Sequence, residues 1–317
     1  MTEPIKGPFE FGDQTPNHLC GWRPDLVVHA SKQCHHLFTT YRDPEKRIPK
    51  VPAPVWNYSK RINNGHHLPT FRQQTGDCVA AGLAHAGARL QVAEIATLYE
   101  EEAFRLWNVP FIYGISRVQI GGGQIPGPGS TGAWGAAAVK RYGVLFDADP
   151  DVPDYSGQLS DRWGEPPGPP ANFLPIAADN LVKSTAVLTT VEEIREALCN
   201  YDPVTIASNQ GFQMKPIEHD GFHVFVPAGE WNHQMCLIAW MDEPFAAAYR
   251  LNSWGQDAHG TPLNGEPPGG AWCTADVLER ELRSAYTEVF TYSQFDGFPS
   301  AADRGLLTAF ADLPPTR

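Results

Sequence analysis

Apolar residues change their spacing near residue 203. Upstream, within 77–107, Val92, Ile95, Leu98 and Tyr99 recur at helical intervals, and Asp77 stands where a helix cap is expected. A second helix is predicted over "TGAWGAAAVKRYGV" (131–144), ended by Gly143. A third begins in "TTVEEIREAL" (189–198), where Thr190 and Glu193 have the spacing of a capping box. From 203 onward the runs are short, β-branched or aromatic, and separated by turn residues: "PVTIAS", "FHVFVP", "HQMCLIAWM", "AAYRLNSWG" and "TEVFTYS". They read as strands. Between the helices, 108–132 with its "GGGQIPGPGS" reads as loop, and 147–180 as a polar, Pro-rich connection. Residues 1–70 are Pro-rich and mixed, with 42–56 extended. The expected organisation is an N-terminal extension (1–70), a helical lobe (71–180) and a β-rich lobe (181–317). No internal repeat is visible. This is an α+β pattern in which a site between the lobes would be a cleft.

Composition narrows the function classes. Gly and Pro at 29 each announce many turns. The net charge of -12, with no basic run, argues against a nucleic-acid partner. The N-terminus lacks an apolar stretch of signal-peptide length, and no window approaches a membrane span. The expectation is a chain without a membrane partner, cytoplasmic or within a particle. Six widely spaced cysteines with no CxxC suit reduced thiols better than a disulfide framework.

Cys78 follows the polar turn "QQTGD" and opens the first helix. Such a thiol can be a small core residue. It can also be a nucleophile, because oriented N–H groups and the helix dipole favour thiolate there. Thiol chemistry further needs a base, a group that orients the base, and oxyanion donors. Among eleven histidines His233 stands out, opening "HQMCLIAW" just after Trp231. Nineteen residues later Asn252 lies at a strand end, where its carbonyl can fix an imidazole tautomer and the indole of Trp254 can exclude water. Cys20, His29, Cys34, His35 and His36 lack the paired spacing of a zinc site, and His219 and His223 flank a predicted turn rather than share a helical face. Gly121–Gly123 lacks the context of a phosphate loop. No metal and no cofactor are expected.

Four islands, "QQTGDCVAA", "PVTIASNQGFQM", "WNHQMCLIAW" and "YRLNSWG", resemble the papain-like cysteine peptidases and stand in that family's order. The resemblance spans about 73–255. It implies a helical and an antiparallel sheet lobe with the site in the cleft between them, acting on a peptide or protein substrate. By it, Cys78 corresponds to the nucleophile, His233 to the general base and acid, Asn252 to the orienting residue and Trp254 to the shielding indole. The oxyanion glutamine corresponds to Gln73, with Gln74 the alternative, because the family's usual position is Arg72 here. Gly122 and Gly123 correspond to the Gly-rich segment that lines substrate backbone. Asp77 before the thiol and Val79 after it depart from the family pattern. No inhibitory pro-segment is expected, residues 1–70 being too Pro-rich for the usual helical one. Two alternatives to a peptidase stand. One is a papain-like fold kept as a structural or interaction module, for example in a phage or virus particle, assembling through the N-terminal extension. The other is a related acyl transferase, which Asn252 in place of Asp disfavours.

Overall fold

The computed structural model describes residues 17–26, 36–38, 55–98, 104–294 and 296–298. Its strands are β1 (His36–Leu37), β2 (Ser184–Val187), β3 (Val204–Phe212), β4 (Ile217–His219), β5 (Phe222–Val224), β6 (Pro227–Met241), β7 (Ala247–Leu251), β8 (Gly270–Thr274) and β9 (Glu288–Ser293). They form one sheet in the order β1-β2-β9-β3-β6-β7-β8-β5-β4. Pairing is antiparallel except for β1 with β2 and β5 with β8.

Period-2 alternation sends side chains to two cores. On one face Thr205, Ala207, Cys236, Ile238, Tyr249 and Tyr292 are buried beneath α2 (Cys78–Leu98) and α4 (Gly132–Arg141). On the other, Val204, Ile206, Met235, Leu237, Ala248 and Val289 pack with Ile194 and Leu198 of α7 (Val191–Cys199) and Val277 and Leu278 of α8 (Ala275–Leu282). The first turns of α2 are buried all round, which accounts for their Ala, Gly and Val content: small side chains let the sheet and α4 approach from several directions.

Several sequence expectations hold. Thr190 and Glu193 form the capping box at α7. Thr131 caps α4 through Trp134 N–H, and Gly143, at φ +78°, follows its end. Others need correction. The first helix is described as far as Leu98; Tyr99 lies outside the described residues. Asp77 does not cap it, since its carboxylate takes the hydroxyls of Tyr155 and Ser160 instead. The expected loop at 108–132 begins with α3 (Val109–Gly114), capped by Asn108 through Phe111 N–H, and continues as a π-helix over Ile115–Ile120. Pro110, in the first turn of a helix, costs no hydrogen bond there. The connection at 147–180 holds two short helices, α5 (Gly157–Trp163) and α6 (Phe173–Ala178). The strand carrying His233 starts at Pro227, so His233 is interior to it.

The described parts of 1–70 also contribute to the core. Helix α1 (Val55–Ile62) places Trp56 against Tyr249 and Trp272, with ring centroids 5.5 and 6.1 Å apart. Trp22 is fully buried. Among the described residues Cys20, Cys78, Cys199, Cys236 and Cys273 are free thiols, no group of His, Cys, Asp or Glu could hold a metal, and no helix is long and apolar enough to cross a membrane. His29, Cys34 and His35 lie outside the described residues.

Candidate active site

Cys78 is the first residue of α2 and is 0% exposed. Helix and sheet meet here because Gln234 of β6 donates its side-chain N–H to Val79 O at 3.0 Å. The Gln234 backbone N–H, which belongs to the peptide bond after His233, faces the Cys78 sulfur. Register therefore brings the helix start beside the strand segment that carries His233.

On that strand, His233 Nε2 lies 2.8 Å from Asn252 Oδ1, and Ser253 N–H donates to the same oxygen at 2.7 Å. Trp254 covers the imidazole, with ring centroids 4.8 Å apart and planes tilted by 31°; Trp231 in turn packs on Trp254. Gln73 is fixed against the same loop. Its N–H donates to Ser253 O at 2.8 Å, and its side-chain carbonyl accepts from the Ser253 hydroxyl. Gln73 is buried beside the site. Gln74 is exposed and accepts from Gly157 N–H instead.

Something already occupies this cleft. The segment Asn17–Leu26 crosses it in extended and 3-10 conformation. Gly21 N–H donates to the Cys78 sulfur at 3.3 Å, and Leu19 O accepts from Gln73 Nε2 at 2.7 Å. Trp22 N–H donates to Asn232 O, Gly21 O accepts from Ser130 N–H, and Arg23 N–H donates to Ser130 O, at 2.8 to 2.9 Å. The Trp22 indole N–H reaches the buried carboxylate of Glu288 at 2.8 Å, which also accepts from Gly132 and Ala133 at the start of α4. Gly21 must be glycine: a Cβ there would stand 1.7 Å from Gly76 O. Residues 1–70 are expected to hold no helical inhibitory pro-segment; whether they cover the site is not legible in the sequence. The segment at 17–26 is short and works through backbone hydrogen bonds, which leave little side-chain signal.

The backbone hydrogen bonds to 21–23 do not come from Gly122 or Gly123. Gly122 and Gly123 form a left-handed turn near Pro166. The backbone that pairs with 21–23 is that of Ser130. Gly129 (φ +117°) must lack a Cβ, which would lie 2.4 Å from Gly21 O.

Burial dominates the electrostatics. It pushes the Cys78 thiol up to about 12; N–H groups of Gln234, Gly21 and Val79 counter this, and Asp77 adds to it. Burial holds His233 down to about 3, against the hydrogen bond to Asn252. Asp77 itself is raised to about 7 by burial, opposed by the Ser160 and Tyr155 hydroxyls. Thiol and imidazole are both neutral under the covering segment. His233 Nδ1 is buried without a hydrogen-bond partner, so no bond joins it to Cys78.

No family model matches this sequence, and neither does any curated protein. Solved structures do. Xylellain, a cysteine protease from Xylella fastidiosa, superposes with a TM-score of 0.57 at 15% identity, over 88% of this chain and 97% of its own. The ragweed pollen cysteine protease Amb a 11, in its proform, gives 0.54 at 13%, over 90% and 78%. The procathepsin B S9 of Trypanosoma congolense gives 0.51 at 12%, over 84% and 88%. Such identities carry the fold alone. With an α+β architecture of helices against a mostly antiparallel sheet, this chain has the papain-like fold of the cysteine proteases.

Proposed function

We propose that this chain is a thiol hydrolase that cleaves peptide bonds once the segment at 17–26 leaves the cleft. The observation that carries this reading is the His233 Nε2–Asn252 Oδ1 hydrogen bond beneath Trp254, next to a helix that begins at Cys78. A neutral imidazole held through Nε2 keeps its Nδ1 lone pair as the base. Cys78 would attack the substrate carbonyl after losing its proton to His233. Gln73 Nε2 and the Cys78 backbone N–H would hold the oxyanion, and Leu19 O now sits against that Gln73 donor. His233 would protonate the leaving amine, and water would release the acyl group. The test is hydrolysis of an unstructured fluorogenic peptide, with mapping of any epoxide-type thiol label. Label on Cys78 together with hydrolysis supports the reading.

A second reading has an observation of its own. Gly21 N–H occupies the thiol and His233 Nδ1 lacks a partner. A papain-like fold kept as an interaction module, for example within a virus particle, would be built this way, with its N-terminal extension available for assembly. A Cys78 that stays unlabelled and a chain that stays inert after the segment is displaced would favour it. An acyl transferase would show transfer to an added amine exceeding hydrolysis.

A further inference from the structure

His259 is buried, belongs to no strand or helix, and is absent from the catalytic set named above. Its Nδ1 lies 2.8 Å from Met214 O, and its Nε2 lies 2.9 Å from Asn252 Nδ2. Phe225 meets its ring edge-on with centroids 4.8 Å apart, and Trp254 lies 6.1 Å away on another side.

Donor and acceptor rules fix every proton in this chain of groups. A carbonyl only accepts, so His259 Nδ1 carries a hydrogen. Burial lowers the affinity of this imidazole for a second proton, to about 4, so its Nε2 is a bare acceptor. It takes a hydrogen from Asn252 Nδ2. Ser253 N–H independently requires an oxygen opposite it, and that oxygen is Asn252 Oδ1. Oδ1 then faces His233 Nε2, which must be the protonated nitrogen. The remaining nitrogen, His233 Nδ1, is left with a free lone pair. Were Asn252 to flip, its NH2 would oppose Ser253 N–H. His233 would then have to move its proton to Nδ1, where it could no longer act as a base.

We propose that His259 is a positioning residue: it locks the Asn252 amide, through Met214 O, in the orientation that keeps His233 Nδ1 free as the base. The catalytic consequence rests on the thiol-hydrolase reading; the tautomer assignment does not.

The experiment is 15N NMR of histidine-labelled full-length chain, with kcat measured in the full-length chain carrying Gly21→Val to displace the covering segment. In the wild type, His259 should be the Nδ1–H tautomer and His233 the Nε2–H tautomer. His259→Leu should convert His233 to a tautomer mixture and lower kcat on the order of 10- to 100-fold with KM little changed, because orientation is lost rather than binding. His259→Gln, which keeps an acceptor, should restore most of both. In an Asn252→Ala background, His259→Leu should cost nothing further, since the pair acts as one unit. The opposite tautomer at either histidine in the wild type overturns the proposal even if His259→Leu fails to fold. So does a His259→Leu loss that simply adds to that of Asn252→Ala. If no variant hydrolyses peptide while the tautomers behave as stated, the hydrolase reading fails and the positioning role stands.

Discussion

Gly21 donates its backbone N–H to the Cys78 sulfur, and the chain of Gly21 is wedged so tightly that an added Cβ would lie 1.7 Å from Gly76 O. Two glycine backbones in contact thus seat one peptide segment over a thiol. The same N–H counters the rise that burial gives the thiol.

Gly21→Val should unseat the segment. Overpacking a tight contact costs about 1–3 kcal/mol, a shift of roughly 5- to 150-fold in the ratio of open to closed chain. The second-order rate of Cys78 alkylation by iodoacetamide, read by peptide mass spectrometry, should rise within that range. An unchanged rate with the fold intact would mean that the segment does not limit access.

Gln73→Ala should separate chemistry from access. Loss of one oxyanion donor lowers kcat by about 10²–10³-fold. The same change removes the hydrogen bond to Leu19 O, so alkylation of Cys78 should not slow and should quicken if that bond helps hold the segment. Gln74→Ala should leave kcat near wild type, because Gln74 faces away. A larger loss in Gln74→Ala than in Gln73→Ala would reverse the assignment.

Within the site, His233→Ala should remove nearly all activity, since it deletes both proton carrier and counter-charge, and acid–base catalysis contributes roughly 10²–10⁴-fold. Asn252→Ala should leave a measurable remainder, because the imidazole can still rotate into place part of the time. Matched kcat/KM values on one peptide at one pH decide this. Equal, total loss in both folded variants would show that Asn252 does more than orient.

Acid should destabilise the fold. His85, His233 and His259 are buried neutral, with burial lowering them to about 3, 3 and 4. The unfolded chain binds those protons near pH 6.5 and the folded chain does not, so their contribution is complete above 6.5 and fades as pH falls towards 4. Asp77, raised by burial to about 7, acts in the opposite sense across that window, as do Asp147 and Glu288, which burial also raises, while His67, lowered to about 4, adds to the three histidines. The urea midpoint should therefore drop between pH 6.5 and 4. A constant or rising midpoint would contradict the assigned burial.

The fold and the candidate residues Cys78, His233 and Asn252 were legible because their signals are local. A thiol after a Gly-containing turn, a His on an alternating strand, and "NSWG" at a strand end carry their chemistry in short windows. Gln73 is preferred over Gln74 only through the family resemblance, as the smaller departure from the usual position at Arg72. The missed features depend on distant partners. Val109–Ile120 lacks a clear helical stripe because nearly all its first residues are buried, so periodicity is silent there. Ser130 is marked out only by the distant backbone of Gly21 and Arg23 that it pairs with. Leu19–Trp22 and His259 gain their meaning from groups 57 and 7 residues away, Cys78 and Asn252. Neither has a motif of its own.

The most direct measurement is peptide hydrolysis by full-length Gly21→Val chains with and without Cys78→Ala. Hydrolysis that accompanies alkylation of Cys78, and that vanishes in the folded Cys78→Ala chain, is the predicted result. Hydrolysis that survives Cys78→Ala, or an inert chain whose Cys78 alkylates freely, contradicts the thiol hydrolase.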